Sequence, residues 1–322
     1  MIEKLKDKVL SGEKITKNEA LELAAVSQEQ ILNLLAAANE IKKEFMSDKV
    51  NMCSIINAKS GSCSEDCSFC AQSAHHDTDV DSYSLLGSEK ILAKAKRIDQ
   101  KGADHFGLVT SGRGIETEAE FRQIIKTVKE IKTQTDLEVC ASLGTLNAGQ
   151  VQELSEVGLK RYNHNLETSR NYFSEICSTH DYQERVQTIK FLKEQGIEVC
   201  CGGIIGLGES FADRIDLAFR LRRLAVDSIP LNILNSVAGT PLADNEDLPP
   251  LEALKTAAIF RFINPHKNIK LCGGRESNLR DLQSLALLSG INGLLVGNYL
   301  TTEGRSVEDD LQMIDDLGLE RE

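Results

Sequence analysis

Two hydrophobic periodicities alternate along the chain from about residue 51 onward. Short apolar runs with strand-like alternation predict eight β-strands, at residues 52–57, 105–109, 137–143, 160–166, 197–202, 228–234, 269–273 and 291–296. Segments with helical spacing lie between them, for example Phe121, Ile124 and Val128. Eight strand–helix units predict an α/β fold, a (β/α)8 TIM-type barrel. A doubly wound sheet is the alternative, but no Gly-rich dinucleotide turn follows the first strand.

The first 50 residues have a helical pattern of their own. Thr16 with Glu19, and Ser27 with Gln30, have the spacing of capping boxes that precede Ala- and Leu-rich runs. We therefore expect an N-terminal helical extension over residues 1–50 and one barrel domain with a C-terminal helix over residues 51–322.

Composition and charge narrow the class of protein. The 322 residues are 41% hydrophobic, which is enough for a large core. The net charge of −12, without a long basic run, argues against nucleic acid or an anionic membrane as partner. Neither a transmembrane span nor a secretory apolar region is recognisable, so a cytoplasmic enzyme is expected. The acidic run Glu308, Asp309 and Asp310 predicts a solvated helix start.

The cysteines carry the strongest local signal. There are nine, an odd number without a secretion signal, so a disulfide framework is not expected. Cys63, Cys67 and Cys70 form a CxxxCxxC motif just after the first strand. Three thiolates at this spacing can hold three irons of a cubic cluster and leave the fourth iron open. The alternative is zinc with His75 or His76 as fourth ligand, although structural zinc sites usually use CxxC pairs.

Strand alternation predicts which side chains enter the barrel lumen. Apolar positions should pack outward on the helices, and the positions between them should point inward. Cys201 then points outward, behind its strand. The inward set contains thiols and amides that a packed barrel core does not need: Arg161, Asn163, Asn165 and Glu167 on the fourth strand, and Cys140, Cys200, Asn232 and Cys272 on the third, fifth, sixth and seventh.

Several motifs, in a consistent order, resemble one family. The CxxxCxxC loop and the GGIIGLGE run at 202–209 resemble elements of the radical S-adenosylmethionine (SAM) superfamily. Within it, four further runs resemble the biotin synthase family: YNHNLETS at 162–169, YQER at 182–185, GTPLAD at 239–244 and GGRE at 273–276. The resemblance covers about residues 50–300.

The resemblance implies an enzyme that inserts sulfur into dethiobiotin to form biotin. Cys63, Cys67 and Cys70 would hold a [4Fe-4S] cluster whose open iron binds SAM. One electron from a flavodoxin- or ferredoxin-like donor would release a 5′-deoxyadenosyl radical that abstracts hydrogen, and an auxiliary cluster would donate sulfide. Such radical chemistry has to come from cofactors, so no acid–base residue is expected. A homodimer is also implied.

Ligand contacts follow from the matched positions. The resemblance implies cofactor contacts for Phe69, Asn165, Glu167, Arg185, Gly202, Ile204 and Gly206, and substrate contacts for Asn163, Asn165 and Asn232. Glu167 stands where the family usually has Asp. The added methylene moves the carboxylate by about 1.5 Å, which implies a backbone adjustment.

The auxiliary site departs from the family pattern. That pattern uses three cysteines and one arginine around a [2Fe-2S] cluster, and Cys140, Cys200 and Arg275 match three of these positions. Gly107 occupies the fourth and cannot be a ligand. Because Cys272 is predicted to point inward, we expect a site of Cys140, Cys200 and Cys272, with Arg275 as a tentative member. Three cysteines could hold a four-iron cluster with one iron open for a sulfide.

Other interpretations remain beside this one. Cys53 and Cys177 match no family motif and are interpreted as small buried hydrophobes. Another radical SAM enzyme with the same first cluster but a different substrate is one alternative function. A non-enzymatic, zinc-stabilised barrel is the other.

Overall fold

The computed structural model describes all residues from Met1 to Glu322. Its ten strands are β1 (Lys49–Lys59), β2 (His105–Thr110), β3 (Glu138–Ser142), β4 (Arg161–Asn163), β5 (Glu198–Cys200), β6 (Gly203–Ile205), β7 (Ser228–Ile233), β8 (Asn268–Leu271), β9 (Gly293–Leu295) and β10 (Glu320–Arg321). Its helices are α1 (Ile2–Leu10), α2 (Lys17–Ala24), α3 (Ile31–Met46), α4 (Ser88–Asp99), α5 (Glu118–Gln134), α6 (Ala148–Glu156), α7 (Phe173–Ile176), α8 (Tyr182–Glu194), α9 (Phe211–Leu224), α10 (Pro250–Ile263), α11 (Arg275–Leu279), α12 (Gln283–Leu287) and α13 (Val307–Asp316).

The strands form a closed parallel barrel. Neighbouring strands pair in parallel from β1 round to β9, and β9 pairs with β1 to close the ring. The fifth predicted strand is broken into β5 and β6, both of which pair with β7. The barrel therefore has eight strand positions, and the predicted (β/α)8 fold is confirmed. β10 adds to the first two residues of β1, outside the ring.

Amphipathic helices cover the barrel, as the sequence pattern predicts. Phe121, Ile124 and Val128 are buried on one face of α5. The Thr16–Glu19 capping box is present at the start of α2. The Ser27–Gln30 box is not, because a 3-10 turn at Gln28–Gln30 precedes α3 and the Ser27 side chain makes no capping bond.

The three N-terminal helices pack against the outer layer of the barrel. α3 packs on α10 and α1, and α2 packs on α9 and α10. Lys42 of α3 is buried and its Nζ donates to the Leu287 carbonyl over 2.6 Å. On the barrel side, Lys255 Nζ donates to the Ala24 and Val26 carbonyls. No helix is both long and apolar enough to cross a lipid bilayer.

Candidate active site

The CxxxCxxC loop folds back on itself at the carboxyl end of β1. Cys63 pairs with the Gln72–Ala74 segment through two backbone hydrogen bonds of 3.0 and 2.8 Å. Ser73 Oγ donates to the Glu65 carbonyl over 2.6 Å. His75 and His76, the fourth zinc ligands considered above, instead contact the carbonyls of Ser64 and Cys67 through Nε2. Since a carbonyl only accepts, both rings donate there and fix the loop.

The three loop thiols have the wrong separation for a single metal ion. The sulfur atoms of Cys63, Cys67 and Cys70 do not all lie within 4.8 Å of one another. The one group of metal-binding side chains that meets this distance is Cys67, Cys177 and His180, which contains a single thiol of the loop. Zinc requires four donors close around one centre. In an iron–sulfur cluster each thiolate binds a different iron, so the thiols lie further apart. The three loop thiols therefore fit such a cluster.

A cleft of about 220 Å³ lies directly beside this loop. Its wall combines the three loop thiols with polar side chains from the ends of β4 and the start of α8: Cys63, Cys67, Cys70, Asn163, Asn165, Glu167, His180 and Arg185. The carboxyl ends of the strands thus gather the predicted cofactor residues at one mouth, as expected for a TIM-type barrel.

The lumen below contains four thiols, one more than predicted. A cavity of about 360 Å³ is lined by Cys140, Cys200 and Cys272, and also by Cys53 of β1. Cys53 is therefore not a core hydrophobe, contrary to its interpretation above. The alternation of β1, with Met52 buried and outward, could have predicted it.

Two cations face these thiols. Lys270 Nζ lies 2.6 Å from Cys53 Sγ, and Arg161 binds Glu198 through Nε and Nη2. Lys270 has no carboxylate partner. Burial alone would lower the pKa of Lys270, but negative charge on Cys53 and Cys200, when these are thiolates, raises it above the ordinary value. A buried cation of this kind is stable only beside negative charge, so the lumen is prepared for an anionic group.

Burial also shifts the pKa values of the lumen thiols themselves. It raises the pKa of Cys140 to about 12 and raises the pKa values of Cys200 and Cys272 as well. In the metal-free chain these thiols are therefore protonated at neutral pH. Metal binding has to release their protons.

At Gly107, where the family pattern has a ligand, the neighbouring strand leaves no space for a side chain. A Cβ atom at Gly107 would lie 2.8 Å from Ile55 Cγ2 on β1. Ile55 and Gly107 are partners in the register of the two strands. The space of a side chain at 107 is thus filled by Ile55.

Arg275 does not join the lumen thiols. It is fully buried and does not line the lumen cavity, and its guanidinium donates to Tyr299 Oη, Gln283 Oε1 and a carboxylate oxygen of Asp310. Its tentative place at the auxiliary site is thus not supported, because these partners hold it elsewhere. Asp310 in turn is 0% exposed, so the expectation of a solvated acidic run is wrong at this residue.

The three predicted substrate amides differ in their free hydrogen-bonding capacity. Asn163 Oδ1 is buried without a partner on the lumen wall. Asn165 Oδ1 accepts from Gly202 N, and Asn232 bonds the backbones of Gly203 and Gly273. Because an unpaired buried carbonyl is costly, Asn163 is the amide most clearly arranged for a ligand.

Glu167 has a backbone conformation that is unusual for a residue with a side chain, while the adjustment expected from its extra methylene stays a prediction. Its φ of 66° lies in the left-handed region that favours glycine. Its carboxylate is 3.7 Å from Arg185 Nη1 and accepts from Asn165 Nδ2 over 3.4 Å. Burial raises the pKa of this carboxyl, while Arg185 and Asn165 oppose the shift.

The remaining predicted cofactor positions divide into two groups. Phe69 and Ile204 line the lumen, whereas Gly202 and Gly206 do not. A Cβ at Gly202 would lie 1.9 Å from the Pro230 carbonyl oxygen, so glycine is needed there for strand packing. Gly206 has a φ of 89° and donates its N–H to Glu209.

Cys177 lies beside the CxxxCxxC loop, a placement that the sequence analysis missed. Its Sγ lies 3.8 Å from Cys67 Sγ, 3.3 Å from Asp66 Oδ1 and 3.2 Å from His180 Nδ1. It is buried, but in polar surroundings rather than as a hydrophobe. No motif marked it, since its contacts with Cys67 and Asp66 join it to residues more than 100 positions earlier.

Two family models cover most of the chain. The model of the radical SAM superfamily matches residues 59–221, and that of the biotin and thiamin synthesis associated domain matches residues 230–320. Among curated relatives, biotin synthase from Carboxydothermus hydrogenoformans is 54% identical over 98% of this chain and 97% of its own. Biotin synthase from Pelotomaculum thermopropionicum is 51% identical over 99% of both chains.

Solved structures agree with the fold. Methylornithine synthase superposes with a TM-score of 0.87 at 22% identity, covering 99% of this chain and 97% of that one. The FeFe-hydrogenase maturase HydG from Carboxydothermus hydrogenoformans gives 0.83 at 16% identity, covering 99% and 79%. At these identities the likeness concerns the fold alone.

Proposed function

The chain belongs to the biotin synthase family, and from that premise we propose which of its residues serve each part of the reaction. The reaction is the insertion of sulfur into dethiobiotin to form biotin by a radical SAM enzyme. One observation carries the assignment: a three-thiol loop lies at the mouth of a lumen that contains four further thiols.

Cys63, Cys67 and Cys70 hold the [4Fe-4S] cluster in this proposal. When bound, the cofactors supply a 5′-deoxyadenosyl radical that abstracts hydrogen from dethiobiotin, and sulfide from an auxiliary cluster. The protein chain binds and orients the reactants and excludes water from them. Arg185 and Glu167, together on the cleft wall, contact SAM, with Phe69 and Ile204 beside it.

Lumen thiols hold the auxiliary cluster. Cys140, Cys200 and Cys272 are joined by Cys53, and a four-iron cluster on three of the four thiols keeps one iron for a sulfide. The positive charges of Lys270 and Arg161 favour such an anionic group over an empty lumen. A [2Fe-2S] cluster is the alternative.

Asn163 binds dethiobiotin, because its buried Oδ1 has no protein partner. Asn165 and Asn232 support the same wall. Family membership alone supports a flavodoxin- or ferredoxin-like electron donor and a homodimer. Residues 1–50 form an extension packed on a barrel domain of residues 51–322.

The proposal is tested by iron and acid-labile sulfide per chain after anaerobic reconstitution. We expect about eight irons, against about six for a two-iron auxiliary site and about four for the SAM cluster alone. Biotin formed from dethiobiotin is measured on the same sample. Cleavage of SAM without biotin would favour a radical SAM enzyme with another substrate.

Single alanine variants identify the auxiliary ligands. Cys140→Ala and Cys200→Ala should lose about four irons and keep the SAM cluster. Cys53→Ala and Cys272→Ala then show which thiol completes the set. Cys201→Ala is the matched control, because Cys201 is buried but does not line the lumen.

A further inference from the structure

A buried chain of hydrogen bonds links the CxxxCxxC loop to Arg185. The Glu65 carboxylate contacts His180 Nδ1, and Arg185 Nε donates to His180 Nε2 over 2.9 Å. The Glu65 and His180 side chains are only 8% and 7% exposed. No motif considered above assigns a role to Glu65 or His180.

The two ends of this chain fix the state of the imidazole. A guanidinium N–H only donates, so His180 Nε2 must present its lone pair to Arg185. Nδ1 therefore carries the hydrogen, which faces the Glu65 carboxylate. A carboxylate on one ring nitrogen sets the ring orientation and strengthens the other nitrogen as an acceptor.

Arg185 is held from its other side as well. Its Nη1 donates to the Asn165 carbonyl over 2.9 Å, and its Cζ lies 5.8 Å from the Phe173 ring centre. Nη2 has no protein partner, and Arg185 is one of the residues that line the cleft. His180 thus fixes the guanidinium while one nitrogen stays free for a ligand.

The position of Glu65 within the motif makes the chain more than a local contact. Glu65 lies two residues after Cys63 and two before Cys67. Its carboxylate also accepts from Thr179 Oγ1 over 2.8 Å. The fold of the loop thus brings a residue from between two of its thiols to His180.

We propose that Glu65 and His180 are positioning residues that hold Arg185 in the orientation in which it meets SAM. Folding of the CxxxCxxC loop thereby prepares the SAM site. This inference rests on the proposed function and names the residues that tune its cofactor affinity.

The test uses the reconstituted full chain and three replacements of His180. His180→Phe keeps the ring shape but loses both bonds. His180→Gln keeps an acceptor at the Nε2 position, and His180→Asn keeps only a donor at the Nδ1 position. We expect His180→Phe and His180→Asn to raise the Kd of SAM about tenfold, the loss of one hydrogen bond to a charged group. His180→Gln should recover most of the affinity.

Iron content and the EPR signal of the reduced cluster separate positioning from a structural role. All three variants should keep the iron of the wild type, while His180→Phe weakens the change that SAM causes in the EPR signal. Glu65→Ala should follow His180→Phe, and Glu65→Gln should lose less. His266→Phe is the control, since His266 packs on Phe45 beside the N-terminal helices.

Two results would overturn the inference. One is an unchanged Kd of SAM in His180→Phe; the other is loss of cluster iron in that variant, which would make His180 a support of the loop itself. Neither readout requires biotin formation. Failure of the proposed function would appear separately, in the wild-type protein, as cleavage of SAM without biotin or as binding of neither four irons nor SAM.

Discussion

Ile55 and Gly107 are residues on neighbouring strands that share one space in the lumen wall. A methyl group at Gly107 would come within 2.8 Å of Ile55 Cγ2. We expect Gly107→Ala to lower the free energy of unfolding by about 1–3 kcal/mol through overpacking. The cost should be smaller in an Ile55→Ala background, because that change removes the contacting atom. Urea unfolding of the cluster-free single and double variants measures the coupling, and additive effects would contradict it.

His105 carries a prediction about pH. It accepts from Arg161 and Asn51 at Nε2, and burial, with Lys270 and Arg161, lowers its pKa to about 3. Between pH 3 and 6.5 the unfolded chain binds a proton here that the folded chain does not bind. The free energy of unfolding therefore decreases as the pH is lowered through this window, by up to about 1.4 kcal/mol per unit. His105→Gln should show a shallower fall in urea titrations of cluster-free protein, and an equal slope would refute the assignment.

At this scale the sequence predicts a side chain's direction better than its partner. Alternation placed Cys140, Cys200 and Cys272 in the lumen, and the same rule applied to β1 would have added Cys53. It could not place Arg275, which begins α11 beyond the strand and meets Asp310 only through tertiary packing. For the same reason no local pattern revealed the contacts of Cys177.

Among the elements, β4 is tied to the end of β3 by one hydroxyl group. Tyr162 is 0% exposed; its Oη accepts from Leu143 N over 2.9 Å and donates to the Gly144 carbonyl over 2.7 Å. Tyr162→Phe leaves both backbone groups buried and unpaired. We expect it to lower the free energy of unfolding by about 1–3 kcal/mol. Thermal or urea denaturation measures this.

Tyr83→Phe is the matched control for Tyr162→Phe. Tyr83 Oη also donates to a carbonyl, that of Asn57, but the residue is 37% exposed and water can replace the bond. Its loss should change stability by less than about 0.5 kcal/mol. Equal effects of the two variants would mean that the hydroxyl of Tyr162 does not join the strands.

The strand count and order were predictable because each element repeats one burial pattern. The break between β5 and β6 was not, since it coincides with the close approach of Gly202 to the Pro230 carbonyl on the adjacent strand β7. Likewise the spacing at Ser27 looked like a cap, but local geometry inserted a 3-10 turn first.

For the whole molecule, one continuous apolar core joins the N-terminal helices to the barrel. It includes Ile2 and Leu34 as well as Leu254 and Ile259 of α10. We therefore expect a single cooperative unfolding transition of the cluster-free chain, seen by calorimetry and by circular dichroism alike. Two separate transitions would show that residues 1–50 unfold independently.

The closed base of the lumen limits how molecules can enter and leave it. His105, Arg161 and Glu198 form a hydrogen-bonded floor, and Asn51 extends it to Glu322. The lumen thiols thus lie between this floor and the mouth that carries the CxxxCxxC loop, and the proposed function has dethiobiotin bind between the thiols and that mouth. If this floor stays closed during the reaction, sulfur that refills the auxiliary cluster enters through the same mouth by which biotin leaves. Refilling of the auxiliary cluster and turnover of dethiobiotin then exclude one another in time, and slow release of biotin slows both.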